Sequence, residues 1–239
     1  MGRAGIEPAT LGLKVPCSTS CANGPEGREV YVVASAPMLR IGHRGAAALA
    51  PENTVAAVEA AVAIGVDGIE FDVCPGLVVS HDRGRPGPQL AAFLGDIGEI
   101  LPADALLVVD LKTAGYEADV LAACRDAGVA ERCVFSTSEL AALAQLNDVA
   151  RTSATISAGR AWLLPGRRAP AVAMYHRSGA RDATVRHDTV TEELVEAVHA
   201  REGRVYAWTV NSHAGIERMR ALGVDGVITD DPRLFQPAC

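Results

Sequence analysis

Two acidic residues, Glu70 and Asp72, stand two positions apart in an otherwise apolar stretch that runs from Gly68 to Val73. If this stretch is a β-strand, residues i and i+2 point to the same face, so the two carboxylates lie side by side. Buried carboxylates are costly unless something binds them, and a divalent cation is a natural partner for paired oxygen ligands. The alternative is a surface edge strand of alternating polarity, in which both side chains are solvated.

Strand-like and helix-like segments alternate from Met38 onward. The predicted strands are Leu39–His43, Gly68–Val73, Leu77–Ser80, Ala105–Leu111, Cys133–Ser136, Thr152–Ile156, Ala183–Arg186, Val205–Val210 and Gly226–Thr229. The predicted helices are Thr54–Ile64, Glu117–Ala127, a helix capped by Thr137 or Ser138 that continues to about Leu146, Ala171–Arg177, Glu192–Arg201 and His213–Leu222.

This alternation predicts an α/β fold, a single-domain (β/α)8 TIM barrel, because some eight strands are each followed by a crossover without a break in composition. An open, doubly wound sheet is the second choice. A nucleotide-binding version of that sheet is disfavoured, because the chain contains no GxGxxG phosphate fingerprint.

The composition is that of an ordinary α/β protein. The chain has 239 residues, of which 49% are hydrophobic, and a formal net charge of −7. Without a basic run, nucleic acid and anionic membrane surfaces are disfavoured as partners. The six scattered cysteines do not form a zinc pattern and are typical of reduced thiols, so we expect a cytoplasmic protein.

Residues 1–37 are predicted to be a disordered or loosely ordered leader, because they are rich in Gly, Pro, Ser and Thr and have no periodicity. The segment from Gly5 to Val15 resembles the peptide made when a transfer-RNA gene is translated by accident. A second hypothesis is therefore that the native protein begins near Met38, and that residues 38–239 are the whole barrel.

The predicted strand ends carry an unusual number of polar groups, and this is the rim where barrel enzymes hold their catalytic residues. The residues concerned are His43, Arg44, Glu70, Asp72, His81, Asp82, Asp110, Lys112, Trp208, Asn211, Asp230 and Asp231. Such a set exceeds what a structural barrel needs, and it is the main functional signal of the sequence.

Several ordered motifs resemble the glycerophosphodiester phosphodiesterase family over roughly Leu39 to Leu234. They are His43-Arg44-Gly45, Pro51-Glu52-Asn53-Thr54, Glu70-Phe71-Asp72-Val73, His81-Asp82, Trp208-Thr209-Val210-Asn211 and the run from Gly223 to Pro232. The resemblance implies a metal-dependent barrel that hydrolyses glycerophosphodiesters, a small-molecule substrate class, to glycerol 3-phosphate and an alcohol.

The resemblance implies that Glu70 and Asp72 ligate one divalent cation. The third family ligand is usually a Glu two residues before a Lys, and here Asp110 precedes Lys112 at that spacing. Since Asp is one methylene shorter than Glu, direct, water-mediated and absent coordination by Asp110 all remain open. Oxygen ligands favour Mg²⁺ or Ca²⁺ over zinc.

The resemblance also implies that His43 and His81 are the acid–base pair. In the family the attacking group is thought to be the substrate's own 2-hydroxyl, giving a cyclic phosphate that water then opens. Arg44 and Lys112 would bind phosphate oxygens. Trp208 is interpreted either as a wall of the glycerol pocket or as core packing.

Three further acidic residues have less specific interpretations. Glu52 is assigned as a partner behind the site, although a charge that favours the helix N-terminus and a residue of the site itself are the alternatives. Asp230 and Asp231 are interpreted as turn and cap residues.

One region departs from the family pattern. The hairpin after the acidic strand is short, and Arg83 to Pro88 lead almost directly into the next helix. We therefore expect a reduced insertion after the second strand and a more open site. Two alternatives to the leading function follow: a lysophospholipase-D-like enzyme, for which the sequence offers no apolar rim, and a catalytically weak barrel that serves as a binding module.

Overall fold

The computed structural model describes residues 37–157 and 170–236, and these form a closed barrel of eight parallel strands. The described residues contain nine strands, of which all but β3 form the barrel: β1 (Leu39–His43), β2 (Gly68–Cys74), β3 (Val78–Val79), β4 (Leu106–Leu111), β5 (Cys133–Thr137), β6 (Thr152–Ile156), β7 (Asp182–Arg186), β8 (Val205–Trp208) and β9 (Gly226–Thr229). The barrel order is β1-β2-β4-β5-β6-β7-β8-β9, and β9 pairs with β1 to close it. The predicted (β/α)8 barrel is confirmed.

Seven α-helices lie between the strands of the described ranges. They are α1 (Val55–Ile64), α2 (Leu90–Gly98), α3 (Glu117–Asp126), α4 (Leu140–Leu146), α5 (Pro170–Ser178), α6 (Glu192–His199) and α7 (His213–Ala221). Thr54 has the extended backbone of a helix N-cap, and its hydroxyl accepts a hydrogen bond from the amide of Ala57 at the start of α1. None of these helices is long and apolar enough to cross a membrane.

The predicted leader, residues 1–37, lies outside the described residues except for Pro37. The short hairpin after the acidic strand consists of β2 and the two-residue β3, which pairs antiparallel through Val73 and Val79. From β3 the chain reaches α2 through residues 80–89, without another helix or strand in that described stretch.

Strand β2 is an interior strand, because it pairs with β1 on one side and with β4 on the other. All seven of its residues are buried, so the edge-strand alternative for Glu70 and Asp72 is wrong. Phe71 points away from the carboxylates into the layer between strands and helices, where its ring meets that of Phe93 at 5.2 Å. Burying a side chain of this size contributes about 2–3 kcal/mol, which holds β2 in place.

A buried ion pair ties the start of β7 to the residue before β6. The Asp182 carboxylate is fully buried and accepts hydrogen bonds from Nε of Arg151 at 2.6 Å and from the backbone amide of Arg204 at 2.9 Å. Removing one partner of such a pair leaves the other charge without compensation.

We expect Asp182→Ala to lower the free energy of unfolding by about 2–4 kcal/mol, less than for a wholly buried pair because Arg151 is partly exposed. Urea denaturation measures the effect. Asp188→Ala is the matched control, because the Arg186–Asp188 pair lies at the surface, where solvent screens the charges, so its loss is expected to lower the free energy of unfolding far less. Equal decreases in the free energy of unfolding in the two variants would contradict the assignment of Arg151 and Asp182 as a buried, stabilising ion pair.

Candidate active site

The carboxyl ends of the strands surround a cavity of about 260 Å³. Eight of the residues selected from the sequence line it: His43, Arg44, Glu70, Asp72, His81, Asp110, Lys112 and Trp208. Glu52 does not line it and lies behind Arg44, whose guanidinium contacts Oε2 of Glu52 at 2.5 Å. The barrel therefore brings the predicted site residues into one place.

Strand register explains how the three carboxylates meet. Glu70 and Asp72 point into the barrel from β2, and Asp110 on β4 is the direct partner of Asp72 in the parallel pairing. One oxygen from each of Glu70, Asp72 and Asp110 lies within 4.8 Å of the other two. Such a spacing lets three oxygens contact a single ion.

Two cations partly neutralise this cluster. Nζ of Lys112 lies 2.5 Å from Oδ2 of Asp110 and 2.5 Å from Oδ1 of Asp72. Nε of Arg44 lies 3.0 Å from Oδ2 of Asp72. The Lys112 and Arg44 contacts to Asp72 are close in distance but not aligned as hydrogen bonds, so the buried Oδ1 of Asp72 has no aligned donor among the described residues.

The pKa values of the cluster indicate a shortage of positive charge. Burial, together with the charge of Asp72, raises the pKa of Glu70 to about 7. Burial also raises the pKa of Asp110, although Lys112 opposes the shift. Burial works against Asp72 too, but Lys112 and Arg44 outweigh it and lower the pKa of that carboxyl. The three carboxylates offer oxygen ligands of the kind that a hard divalent cation prefers.

Asn53 fixes the most buried of the carboxylates, although the sequence singled it out only as part of the Pro51-Glu52-Asn53-Thr54 motif. Its Nδ2 donates to Oδ2 of Asp72 at 2.8 Å, and its Oδ1 accepts from the Asp72 amide at 3.1 Å. Asn53 is 4% exposed and has a φ of 61°, a left-handed conformation that Asn tolerates better than most residues. The residue thus positions Asp72 from the loop before α1.

His43 is oriented by an aspartate from the other end of the chain. Its Nδ1 donates to Oδ1 of Asp230 at 2.5 Å, and Nδ2 of Asn211 donates to Oδ2 of the same carboxylate at 2.5 Å. Its Nε2 faces Glu70, with 3.8 Å between Nε2 and Oε2. Burial opposes protonation of the ring, but Glu70 and the bond to Asp230 together raise the pKa of His43.

The structure corrects the interpretation of Asp230 as a turn residue. Asp231, in contrast, caps the final 3-10 turn, where it accepts from the amide of Arg233. The two neighbouring aspartates therefore have different roles: Asp230 holds His43, and Asp231 caps the start of the last described element, Pro232–Phe235.

We expect Asp230→Ala to lower kcat by about tenfold to a hundredfold, because an aspartate on the second ring nitrogen fixes the tautomer and orientation of a histidine. Steady-state kinetics measures the effect. Asp231→Ala is the matched control and is expected to keep kcat within about twofold, since Asp231 contacts none of the residues that line the cavity. Comparable kcat values for the two variants would contradict the role given to Asp230.

His81 lies at the mouth of the cavity. Its side chain is 42% exposed, and Nδ1 donates to Oδ1 of Asp82 at 2.8 Å. The two histidines therefore differ in environment, one held in the barrel and one at its rim.

Small hydroxyl side chains line the cavity on the strands and loops that follow β4. They are Ser136, Ser138, Thr155, Ser157 and Thr184. The hydroxyl of Thr155 reaches Oδ1 of Asp110 at 3.3 Å, and the indole Nε1 of Trp208 donates to the carbonyl of Thr184 at 3.2 Å. These hydroxyl groups offer uncharged hydrogen-bonding partners next to the acidic cluster.

Comparison with known proteins agrees with this geometry. The sequence model of the glycerophosphoryl diester phosphodiesterase family matches residues 43–84 and 102–234, which include all the residues that line the cavity. The chain belongs to that family. It is therefore a phosphodiesterase, and the unmatched residues 85–101 are those that hold α2 and the turn before it.

Individual relatives resemble the chain over most of its length. A glycerophosphodiester phosphodiesterase of Caldanaerobacter subterraneus is 28% identical over 81% of this chain and 94% of its own. Among solved structures, a putative glycerophosphoryl diester phosphodiesterase of Silicibacter pomeroyi has a TM-score of 0.69 at 22% identity, over 83% of this chain and 92% of its own. A phosphodiesterase of Oleispira antarctica in complex with sn-glycerol-3-phosphate has a TM-score of 0.63 at 20% identity, over 82% of this chain and 94% of its own.

Proposed function

We propose that this phosphodiesterase hydrolyses glycerophosphodiesters to sn-glycerol 3-phosphate and an alcohol, in a reaction that depends on one divalent cation, Mg²⁺ or Ca²⁺. The observation that carries the proposal is the meeting of three carboxylates, two histidines and two cationic side chains in one cavity. The family assignment and the product named in the Oleispira antarctica complex support the substrate class.

Glu70, Asp72 and Asp110 would hold the cation. When bound, it would draw charge from the phosphoryl oxygens and orient the diester. The shorter side chain of Asp110 is compatible with this role, because its carboxylate already lies within 4.8 Å of the other two. Asn53 holds Asp72 in place from behind, so this ligand does not need to reorganise.

His43 and His81 are proposed as the acid–base pair. One imidazole takes a proton from the attacking hydroxyl, and the other gives a proton to the departing alkoxide. His43 suits either part, because Asp230 binds Nδ1 and leaves Nε2 directed toward the acidic cluster. His81 suits the side of the cavity from which alcohol and water exchange, since it is at the open rim.

Arg44 and Lys112 are proposed to bind the phosphate oxygens. Both line the cavity, and both contact Asp72 of the acidic cluster. Glu52 would hold the Arg44 guanidinium at a fixed angle through its 2.5 Å contact. Trp208 would close the glycerol side of the pocket, with its ring fixed by the bond to Thr184.

The cellular setting is proposed on the same basis. An enzyme of this specificity would serve glycerol and lipid metabolism by recovering glycerol 3-phosphate, and a cytoplasmic location remains our prediction. A catalytically weak binding module is disfavoured, because none of the proposed catalytic, ligating and phosphate-binding side chains has been replaced by an apolar residue.

The test is to incubate the pure protein with glycerophosphocholine and glycerophosphoethanolamine in the presence of Mg²⁺ or Ca²⁺, and to assay glycerol 3-phosphate and the free alcohol. We expect equal amounts of the two products. Release of glycerol with a phosphorylated head group would overturn the proposed bond cleavage. No turnover with either metal would favour the binding module.

A further inference from the structure

Arg85 lies in the loop that connects β3 to α2, directly after a tight turn. In this turn the amide of Arg85 donates to the carbonyl of Asp82 at 3.2 Å, and Gly84 has a left-handed φ of 80°, which glycine adopts without strain. Arg85 is the first of the residues, 85–101, that the family model does not match. Membership of the family therefore gives this residue no role.

Arg85 begins a row of alternating charges that leads from the surface into the active site. Its Nη1 donates to Oε1 of Glu52 at 3.1 Å. The other oxygen of that carboxylate, Oε2, accepts from Nη1 of Arg44 at 2.5 Å, and Nε of Arg44 lies 3.0 Å from Oδ2 of Asp72. The exposed fraction of the side chain falls from 58% at Arg85 to 16% at Arg44 and 1% at Asp72. The row thus connects an exposed arginine with the acidic cluster.

Glu52 has one guanidinium on each of its carboxylate oxygens. Among the described residues, Arg44 and Arg85 are the only side chains that hydrogen-bond it. A carboxylate bound through one oxygen can turn about that contact, whereas partners on both oxygens fix its plane. Arg44 lines the cavity, and its Nη2 makes no hydrogen bond with the described part of the chain. One edge of this guanidinium is therefore held by carboxylates, and the other is left for phosphate oxygens.

We propose that Arg85 is a positioning residue for phosphate binding: by fixing the Glu52 carboxylate, it holds the Arg44 guanidinium at the angle at which it meets the phosphate oxygens. This inference rests on the proposed function, in which Arg44 binds those oxygens. Arg85 does not line the cavity, so it acts through Glu52. Because exposed ion pairs contribute little to folding, losing this pair affects the orientation of Arg44 and not the stability of the barrel.

Arg85→Met, which removes the charge and keeps most of the side-chain length, tests the inference. We expect KM for glycerophosphocholine to rise about two- to fivefold, as loss of an exposed ion pair predicts, while kcat stays within about twofold. The affinity for sn-glycerol 3-phosphate, measured by isothermal titration calorimetry with Mg²⁺ present, should fall by the same factor. Arg85→Lys should recover most of that affinity, because its ammonium group can still pair with Glu52. A lower kcat with an unchanged KM would indicate a merely structural role and would overturn the inference.

Arg83→Met is the matched control. Arg83 is an exposed arginine of the same loop and makes no ion pair with the residues that the structure describes. Its replacement should leave KM and the product affinity within about 1.5-fold of the wild-type values. Equal increases of KM in Arg83→Met and Arg85→Met would show that the loop acts through its net charge alone, and would overturn the inference.

A double-mutant cycle tests the route through Glu52. In a Glu52→Gln background, Arg85→Met should raise KM no further, since residues that act through one contact are not additive. Additive increases would overturn the inference, because Arg85 would then act independently of Glu52. Wild-type values of KM and product affinity in Arg85→Met would also overturn it and leave the phosphodiesterase function intact. If the wild type released no glycerol 3-phosphate, the proposed function would fail, and the product affinities of the variants would then decide the inference.

Discussion

Replacing His43 with alanine is expected to lower kcat for glycerophosphocholine by about 10²–10⁴-fold, the range in which a positioned acid–base group contributes. The histidine is partly buried in the barrel, and its bond to Asp230 fixes the ring so that Nε2 faces Glu70. Among the described residues its side chain hydrogen-bonds Asp230 alone, so the fold should persist in the variant. Circular dichroism and steady-state kinetics on the same preparation check both halves of this expectation.

His213→Ala is the control for this variant. His213 is the exposed first residue of α7 and does not line the cavity, so its replacement should leave kcat within about twofold. If His43→Ala kept wild-type kcat while its circular dichroism was unchanged, His43 would not be part of the acid–base pair.

The second large effect concerns the cation. Glu70→Gln keeps the shape of the side chain but removes one of the three proposed anionic ligands, and we expect the affinity for Mg²⁺ to fall by about a hundredfold or more. The amide of Arg44, which donates to Oε2 of Glu70 at 3.1 Å, can still donate to the amide oxygen of Gln. The change therefore acts on charge and not on backbone position. Isothermal titration calorimetry measures the Mg²⁺ affinity independently of turnover.

Glu117→Gln is the matched control for a buried glutamate. Glu117 is 2% exposed and accepts from the amide of Gly115 at the start of α3, away from the cavity. Its Mg²⁺ affinity should equal that of the wild type. An unchanged affinity in Glu70→Gln would remove Glu70 from the ligand set.

The raised pKa of Glu70 predicts how cation binding depends on pH. Burial and Asp72 raise the pKa of Glu70 to about 7 in the ion-free protein, so below that pH a proton occupies the group and competes with the cation. The Mg²⁺ affinity should therefore decrease as the pH falls from 8 to 6, and binding near pH 7 should release protons to the buffer. Glu70→Gln should lose most of this pH dependence, which titrations in buffers of different ionisation enthalpy would detect.

The sequence predicted the strands well because they are apolar runs bounded by clear turn residues. β1 and β9 have the predicted limits, and β2 and β4 differ by one residue at an end. β8 is shorter than predicted, ending at Trp208, since the chain turns toward Asn211 and α7. The limits of helix α4 were less accurate, because neither Thr137 nor Ser138 caps it and it begins at Leu140.

The part of the candidate site that depends on local spacing could be predicted from the sequence. Alternation along one strand was enough to place Glu70 and Asp72 on one face. The partnership of His43 with Asp230 spans 187 positions of sequence and depends on the closure of β9 against β1, which no local pattern encodes. The left-handed φ that turns Asn53 toward Asp72 is likewise a property of the folded loop.

The most direct test of the account is the release of glycerol 3-phosphate from glycerophosphocholine by protein that has been treated with EDTA and dialysed, assayed without metal and after addition of Mg²⁺ or Ca²⁺. The account predicts almost no release without metal and full recovery with at least one of the two cations. Equal release in the metal-free and metal-supplemented samples would contradict it, because Glu70, Asp72 and Asp110 would then have a role other than holding an essential cation.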